Sequence, residues 1–272
     1  MDISSSDRAF SGSVPEAYET LLVPLIFEPY ATDLAERLND FTEGTLLEIA
    51  AGTGVVTRQL AALLPSAVII TATDLSQDMI DRATHVGTAR PITWQQADVM
   101  ELPFPDDSFD VVVCQFGVMF FDPKSAAFAE MHRVLRPGGR LLFSVWLGLA
   151  DNELAKVVSE SAQKYVDARA ASFIARVPHG YYDQELIATD VHHGGFTSSP
   201  TFDQVTRQTA PITPHNAAVA YCTGTPLRGG LEAGGLSNLN AAITDATAAI
   251  EARFGPQSFT DSIGALVVSV TK

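Results

Sequence analysis

The chain has 272 residues, 46% of them hydrophobic and 18% charged, with a formal net charge of −15. This is a globular composition, and the length suits one large domain or a core with an elaborated cover. The acidity speaks against a nonspecific nucleic-acid binder, which needs a basic face to displace counterions. The two cysteines, Cys114 and Cys222, have no spacing that reads as a zinc site or a disulfide framework. No apolar run reaches the ~18–20 residues of a membrane span. The opening "MDISSSDRAF" has no basic stretch leading into an apolar one. The expectation is a cytoplasmic protein with no leader, membrane span or bound metal.

Residues 1–44 contain "VPEAYETLLVPLIFEPYATDLAERLND", helical in pattern, with Pro24 and Pro29 expected to break it into short pieces. They read as an N-terminal helical cover. Residues 45–147 alternate β-rich runs with helical patterns. The runs are "TLLEIA", "SAVIITATD", "ITWQQAD", "FDVVVCQF" and "GRLLFSVW". Ser76 suits an N-cap, with Asp78 in the first turn of the helix that follows. Asp122 and Pro123 read as N-cap and N1, and "RPGG" as a helix stop. Such alternation, with continuous apolar strands, means a parallel sheet covered on both faces. Residues 148–195 read as a helical lid insertion, built from "NELAKVVSESAQKYVDARAASFIA" and "DQELIATDVHH". Residues 196–272 supply two more strands, "TFDQVTRQ" and "IGALVVSV", around helices that complete the domain.

The turn Ala50-Ala51-Gly52-Thr53-Gly54 joins the first strand to the first core helix. Glycines there let a ligand lie against the backbone, at the strand ends where open α/β sheets bind. A dinucleotide needs G-x-G-x-x-G. This chain has Thr57 in place of the third glycine, and Glu48 beside the turn would repel a pyrophosphate. Asp74 ends the second strand, where a carboxylate accepts from ribose hydroxyls. Asp98 ends the third, where one accepts from the adenine amine, with the Val99 N–H reaching a ring nitrogen. Leu75 and Met79 offer apolar surface to the base. Three acids at successive strand ends suit S-adenosylmethionine, whose ammonium and sulfonium groups tolerate them.

The pieces "LLEIAAGTG", "TATDLSQDMI", "ADVMELPFPDDSFDVVVCQFGVMFF" and "EMHRVLRPGGRLLFSVW" resemble, in order and spacing, the class I S-adenosylmethionine-dependent methyltransferases with the type 11 domain. That group includes the quinone C-methyltransferases. The resemblance implies a Rossmann-like α/β fold: a seven-stranded, mostly parallel sheet with an antiparallel last strand, helices on both faces and a helical lid. It implies that Glu48 sits near the cofactor's amino group and that Ala50, Gly52, Thr53 and Gly54 line its methionine part. Asp74 would hold the ribose and Asp98 the adenine, with Leu75, Met79 and Val99 beside it. Gln115 would face the methionine moiety or the transferred methyl. "LPFPDDSFD" reads either as a loop aiding adenine closure or as a simple turn. Ala50 stands where the family has a glycine, and its methyl fits without strain if its φ is below zero.

The implied reaction is an in-line displacement at the sulfonium methyl, with S-adenosylhomocysteine as product and a small molecule as acceptor. It asks mainly for alignment and a dry site. No base announces itself. His179, in "RVPHGYY", is the candidate, if its segment faces the pocket. His132 is expected on a solvated face, and His192 and His193 near a helix end. Tyr18, Tyr30, Tyr181 and Tyr182 read either as an acceptor wall or as ordinary packing. Phe10, Phe27, Phe173 and Phe196 belong to segments expected to enclose an apolar acceptor. After the fourth strand the chain reads "CQFGVMFF" rather than the Asn-Pro-Pro-Tyr type, which disfavours methylation of nucleic-acid amines. Two other readings stay open: a nicotinamide-dependent oxidoreductase, and a noncatalytic protein that keeps the cofactor pocket.

Overall fold

The computed structural model describes residues 3, 4 and 6–272. Seven strands form one sheet: β1 (Gly44–Ile49), β2 (Val68–Asp74), β3 (Thr93–Gln96), β4 (Phe109–Gln115), β5 (Leu135–Trp146), β6 (Thr201–Gln208) and β7 (Ser262–Thr271). Their order is β3-β2-β1-β4-β5-β7-β6. Strands β1 to β5 pair in parallel, and β7 runs antiparallel to both β5 and β6. This is the expected Rossmann-like sheet. Strand order reverses between β1 and β4, where β1 leads out to β2 and β3 on one side and β4 leads to β5 on the other. In such sheets that reversal opens a crevice at the carboxyl ends.

The central strands are apolar on both faces because both faces are covered. Leu46 and Leu47 of β1, Val111 to Cys114 of β4 and Leu141 of β5 are all buried. Ser76 caps the helix Gln77–Val86 as expected, its hydroxyl accepting from the Met79 N–H at 3.4 Å. At the next boundary the cap shifts by one residue. Pro123 is extended and occupies the N-cap of the helix Lys124–Val134, while Asp122 accepts from the Ile3 N–H at 3.3 Å. "RPGG" does not separate helix from strand either, because it lies inside β5.

The two N-terminal prolines do not break the helical run. Val14–Ala17, Tyr18–Phe27 and Glu28–Glu36 follow one another directly, with Pro29 in the first turn of the last piece. Tyr18–Phe27 is π-helical, with Pro24 inside it, and the Glu28 N–H reaches the Val23 carbonyl five residues back. Wide turns of this kind are rare and gather at functional sites. The stretch expected as one long helix from Asn152 is instead several: Glu153–Ala162, Ala168–Ala171 and Phe173–Arg176. Asp167 starts a new one by accepting from the Ala170 N–H.

Candidate active site

A cavity of about 390 Å³ lies across the carboxyl ends of the strands. Its wall runs along the sheet from Asp98 after β3, past Asp74 at the end of β2 and Gly52 after β1, to Gln115 at the end of β4. It continues to Trp146 at the end of β5 and Ile263 at the start of β7. The π-helical section closes it with Tyr18, Leu22, Ile26 and Phe27, and the N-terminal segment with Arg8 to Ser11. Phe173, His179 and Tyr221 complete it.

The acid-bearing half is organised around Asp74. One carboxylate oxygen accepts from the Gly52 N–H and the other from the Ser76 N–H, each at 2.8 Å. Burial pushes its pKa up, against these N–H groups, which hold it down. The β1 turn is thereby fixed to the end of β2. Asp98 accepts from the Met100 N–H at 2.9 Å. Leu75, Met79 and Val99 stand beside these acids in the cavity wall. Gly52 has φ +56°, and an added Cβ would meet nothing closer than the Tyr18 ring at 3.9 Å. Its place against the cavity is a cradle that a side chain would fill.

Gln115 donates through Nε2 to the Phe27 carbonyl at 3.2 Å, tying β4 to the N-terminal helix. Its buried Oε1 has no partner. An unpaired buried acceptor, two carboxylates at adjacent strand ends, apolar flanks and a glycine cradle suit the adenine, ribose and amino-acid parts of S-adenosylmethionine.

Not every sequence candidate lies in the wall. Glu48, Thr53 and Gly54 stand outside it. The Glu48 carboxylate is 2% exposed and accepts from the Thr57 hydroxyl at 2.6 Å. It fastens the first core helix to β1. Burial pushes its pKa up to about 8, opposed by the Thr57 hydrogen bond and the Arg58 charge. Thr53 is fully buried. At Gly54, φ +84°, an added Cβ would come within 2.8 Å of the Trp94 ring, so this glycine makes room for packing. Ala50 does line the cavity, but the condition for an unstrained methyl fails, since its φ is +54°. The methyl occupies space left by Gly117, where a Cβ would meet that of Ala50 at 2.6 Å. Phe116, beside Gln115, is also left-handed at φ +53°. Two non-glycine residues held this way at one site are stored strain.

The opposite half, from β4 to β7, carries aromatic rings. Phe116 stacks on Trp146 with centroids 3.6 Å apart and planes 6° from parallel. Phe27 packs against both. His179 lies 6.1 Å from Trp146, at 29°. Its Nδ1 is 2.8 Å from the Leu147 carbonyl, which can only accept, so Nδ1 carries the hydrogen. Nε2 is then the nitrogen with the free lone pair. Burial pushes the His179 pKa down to about 4, against that hydrogen bond, so the ring is neutral near pH 7. Asn152 fixes the same carbonyl: its Nδ2 donates to the Leu147, Gly148 and Gly264 carbonyls and its Oδ1 accepts from the Gly264 N–H.

Of the four phenylalanines expected around an acceptor, Phe10, Phe27 and Phe173 line the cavity. Phe196 does not, and packs edge-on against His132, which is half-buried rather than on a solvated face. Of the four tyrosines only Tyr18 lines it. Tyr30 donates to the Ile263 carbonyl at 2.6 Å inside the core, Tyr181 bonds to Asp190, and Tyr182 is exposed. His192 bonds through Nδ1 to the Phe196 carbonyl, holding the turn beyond its helix. The "LPFPDDSFD" loop also stays out of the wall. Arg133 pins it through the Leu102 and Phe104 carbonyls and Asp106. Sequence reading missed Trp146, Phe116, Asn152 and Tyr221. A chemical signal existed only for Trp146, an aromatic residue at a strand's carboxyl end.

A family model described as a methyltransferase domain matches residues 47–143. The chain is 32% identical over 164 residues to the ubiquinone/menaquinone biosynthesis C-methyltransferase UbiE of Ectopseudomonas mendocina, covering 56% of this chain and 64% of that one. It is 29% identical over 217 residues to UbiE of Azotobacter vinelandii, covering 68% and 85%. The match thus spans less than two thirds of the first relative's length. Among solved structures, the YcgJ protein of Bacillus subtilis superposes with a TM-score of 0.58 at 18% identity, covering 90% of this chain and 98% of that one. That likeness supports the fold. The strand order and the glycine turn after β1 accord with the methyltransferase domain that residues 47–143 match.

Proposed function

We propose that this chain transfers the methyl group of S-adenosylmethionine to a small-molecule acceptor, the cofactor occupying the β1–β3 half of the cavity and the acceptor the β4–β7 half. The observation that carries this is the division of one continuous cavity. Its carboxylates, Asp74 and Asp98, gather at one end and its aromatic stack at the other, with Gln115 between. In this reading Asp74 holds the ribose, Asp98 and Val99 the adenine, and Leu75 and Met79 flank the base. Gly52 and Ala50 border the amino-acid part. When bound, the cofactor supplies a methyl group already activated on a sulfonium.

The protein's own residues then orient and exclude water. Phe116 and Trp146 present a flat apolar wall, and Phe10, Phe27 and Phe173 cover it. The N-terminal cover, the lid of residues 148–195 and the helix bearing Tyr221 set which acceptor enters. A small acceptor, rather than a nucleic acid, suits a cavity enclosed on these sides and a chain of net charge −15. Among the described residues no helix is long and apolar enough to cross a membrane.

Melting curves with S-adenosylmethionine, S-adenosylhomocysteine and NAD test the reading. A ligand at a hundred times its Kd adds about 2.7 kcal/mol, which raises the midpoint of a chain this size by roughly 5–10 °C. A rise with the first two and none with NAD is expected. A rise with NAD alone would reassign the carboxylates to a dinucleotide.

A further inference from the structure

The acid-free half of the cavity holds one nitrogen base. Among the described residues the charged side chains that line the cavity are Arg8 in the N-terminal segment, Asp74 at the end of β2 and Asp98 just after β3. Around Trp146 the wall is Phe116, Phe173, Ile174, Tyr221 and His179, none of them charged once His179 is neutral. The imidazole is set rather than free. Its Nδ1–H is spent on the Leu147 carbonyl, that carbonyl is also held by Asn152, and Asn152 is locked to both backbone groups of Gly264. The tautomer is therefore fixed by the join between β5 and β7, and Nε2 is left as an acceptor of protons.

We propose that His179 Nε2 takes the proton from the methyl-accepting nucleophile, and that the acceptor is an uncharged molecule bringing an O–H or N–H to it across the Trp146–Phe116 stack. The inference rests on the methyltransferase reading above and specifies its other half. The acceptor's lone pair forms the new bond to the methyl carbon as the carbon–sulfur bond breaks with its electron pair on sulfur. The acceptor's proton passes to Nε2 and leaves from the imidazolium to solvent. The wall residues named around Trp146 carry no charge, and the one lining cation among the described residues, Arg8, stands in the N-terminal segment.

The test uses the protein saturated with S-adenosylhomocysteine and four probes: 2-naphthol, naphthalene, 2-naphthoate and 2-naphthylmethylammonium. Calorimetry is expected to show 2-naphthol binding about tenfold tighter than each of the others, a hydrogen bond's worth of preference. In His179→Phe and His179→Asn that preference over naphthalene should disappear while S-adenosylhomocysteine affinity stays. Should either variant fail to fold, nitrogen NMR of the wild type decides. The His179 Nε2 resonance should move on adding 2-naphthol and stay on adding naphthalene. A preference that survives in both folded variants, an unmoved resonance, charged probes binding as tightly, or no 2-naphthol binding overturns the proposal. Failure of S-adenosylhomocysteine to bind the wild type instead overturns the cofactor reading beneath it.

Discussion

Gly52 and Gly54 are two residues apart and do different work. Gly52 borders the cavity with only the Tyr18 ring, at 3.9 Å, beside its missing Cβ, whereas Gly54 is pressed against Trp94. Gly54→Ala is expected to destabilise the fold by about 1–3 kcal/mol, from a left-handed φ and a contact too close to relax freely. Gly52→Val should cost stability through the same φ and, in addition, remove S-adenosylhomocysteine binding, because the isopropyl group takes the ligand's place. Denaturant melts and calorimetry on both variants check this. Normal binding in folded Gly52→Val would put the ligand elsewhere. Residue type made the glycine turn legible in the sequence, but not which glycine lines the cavity. That depends on Trp94, forty residues further on. The left-handed Ala50 was hidden for the same reason, since its methyl is accommodated by Gly117, in the turn after β4.

At the scale of elements, the segment before the first long helix behaves as a strap. The Phe10 carbonyl accepts from the Ser76 hydroxyl at 2.7 Å and the Gly12 N–H donates to Asp78 at 2.8 Å, which fixes the segment to the core. Asp7 pairs with Arg169 at 2.8 Å and Arg176 at 2.7 Å, which fixes it to the helices Ala168–Ala171 and Phe173–Arg176. Those guanidiniums and the Ser4 hydrogen bonds hold the Asp7 pKa down at about 2, against burial, which acts to raise it. Asp7→Asn should therefore loosen the cover without touching the strand ends. The expected outcome is faster dissociation of S-adenosylhomocysteine, measured by stopped-flow, with a melting point that falls by only a few degrees. An unchanged dissociation rate would mean that the strap does not gate this half. The strands and core helices were legible because each carries its own periodicity and caps. The strap was not, since its order comes from partners on three distant helices.

Across the whole molecule, two buried groups give stability a pH dependence of opposite signs. Glu48 has its pKa raised from 4.5 to about 8 in the folded state. It contributes stability that is fully present below pH 4.5 and is lost as pH rises through 8. His179 has its pKa lowered from 6.5 to about 4. Its contribution is present above pH 6.5 and is lost as pH falls through 4. Between pH 4.5 and 6.5 the two oppose each other, and from 6.5 to 8 Glu48 acts without His179. Denaturant midpoints are expected to fall from pH 6.5 to 8, and Glu48→Gln should flatten that decline. An equal decline in Glu48→Gln would assign it to other groups.

The same whole-molecule view explains which half of the cavity could be read in advance. The acid-bearing half is assembled from consecutive strand ends within residues 48–115, so its chemistry follows in chain order. The aromatic half draws Phe27, Trp146, His179, Tyr221 and Ile263 from five separated segments. No local pattern joins them until the sheet brings β5 beside β7.

The central claim is that the carboxyl ends of β1 to β4 hold S-adenosylmethionine, and a crystal structure of the complex with S-adenosylhomocysteine tests it most directly. The ribose should lie within hydrogen-bond distance of Asp74, the adenine amine against Asp98 and the amino-acid part along Gly52, with the thioether turned toward the Phe116–Trp146 stack. Density for the ligand anywhere else, or an orientation placing the adenine against Trp146, would contradict the account.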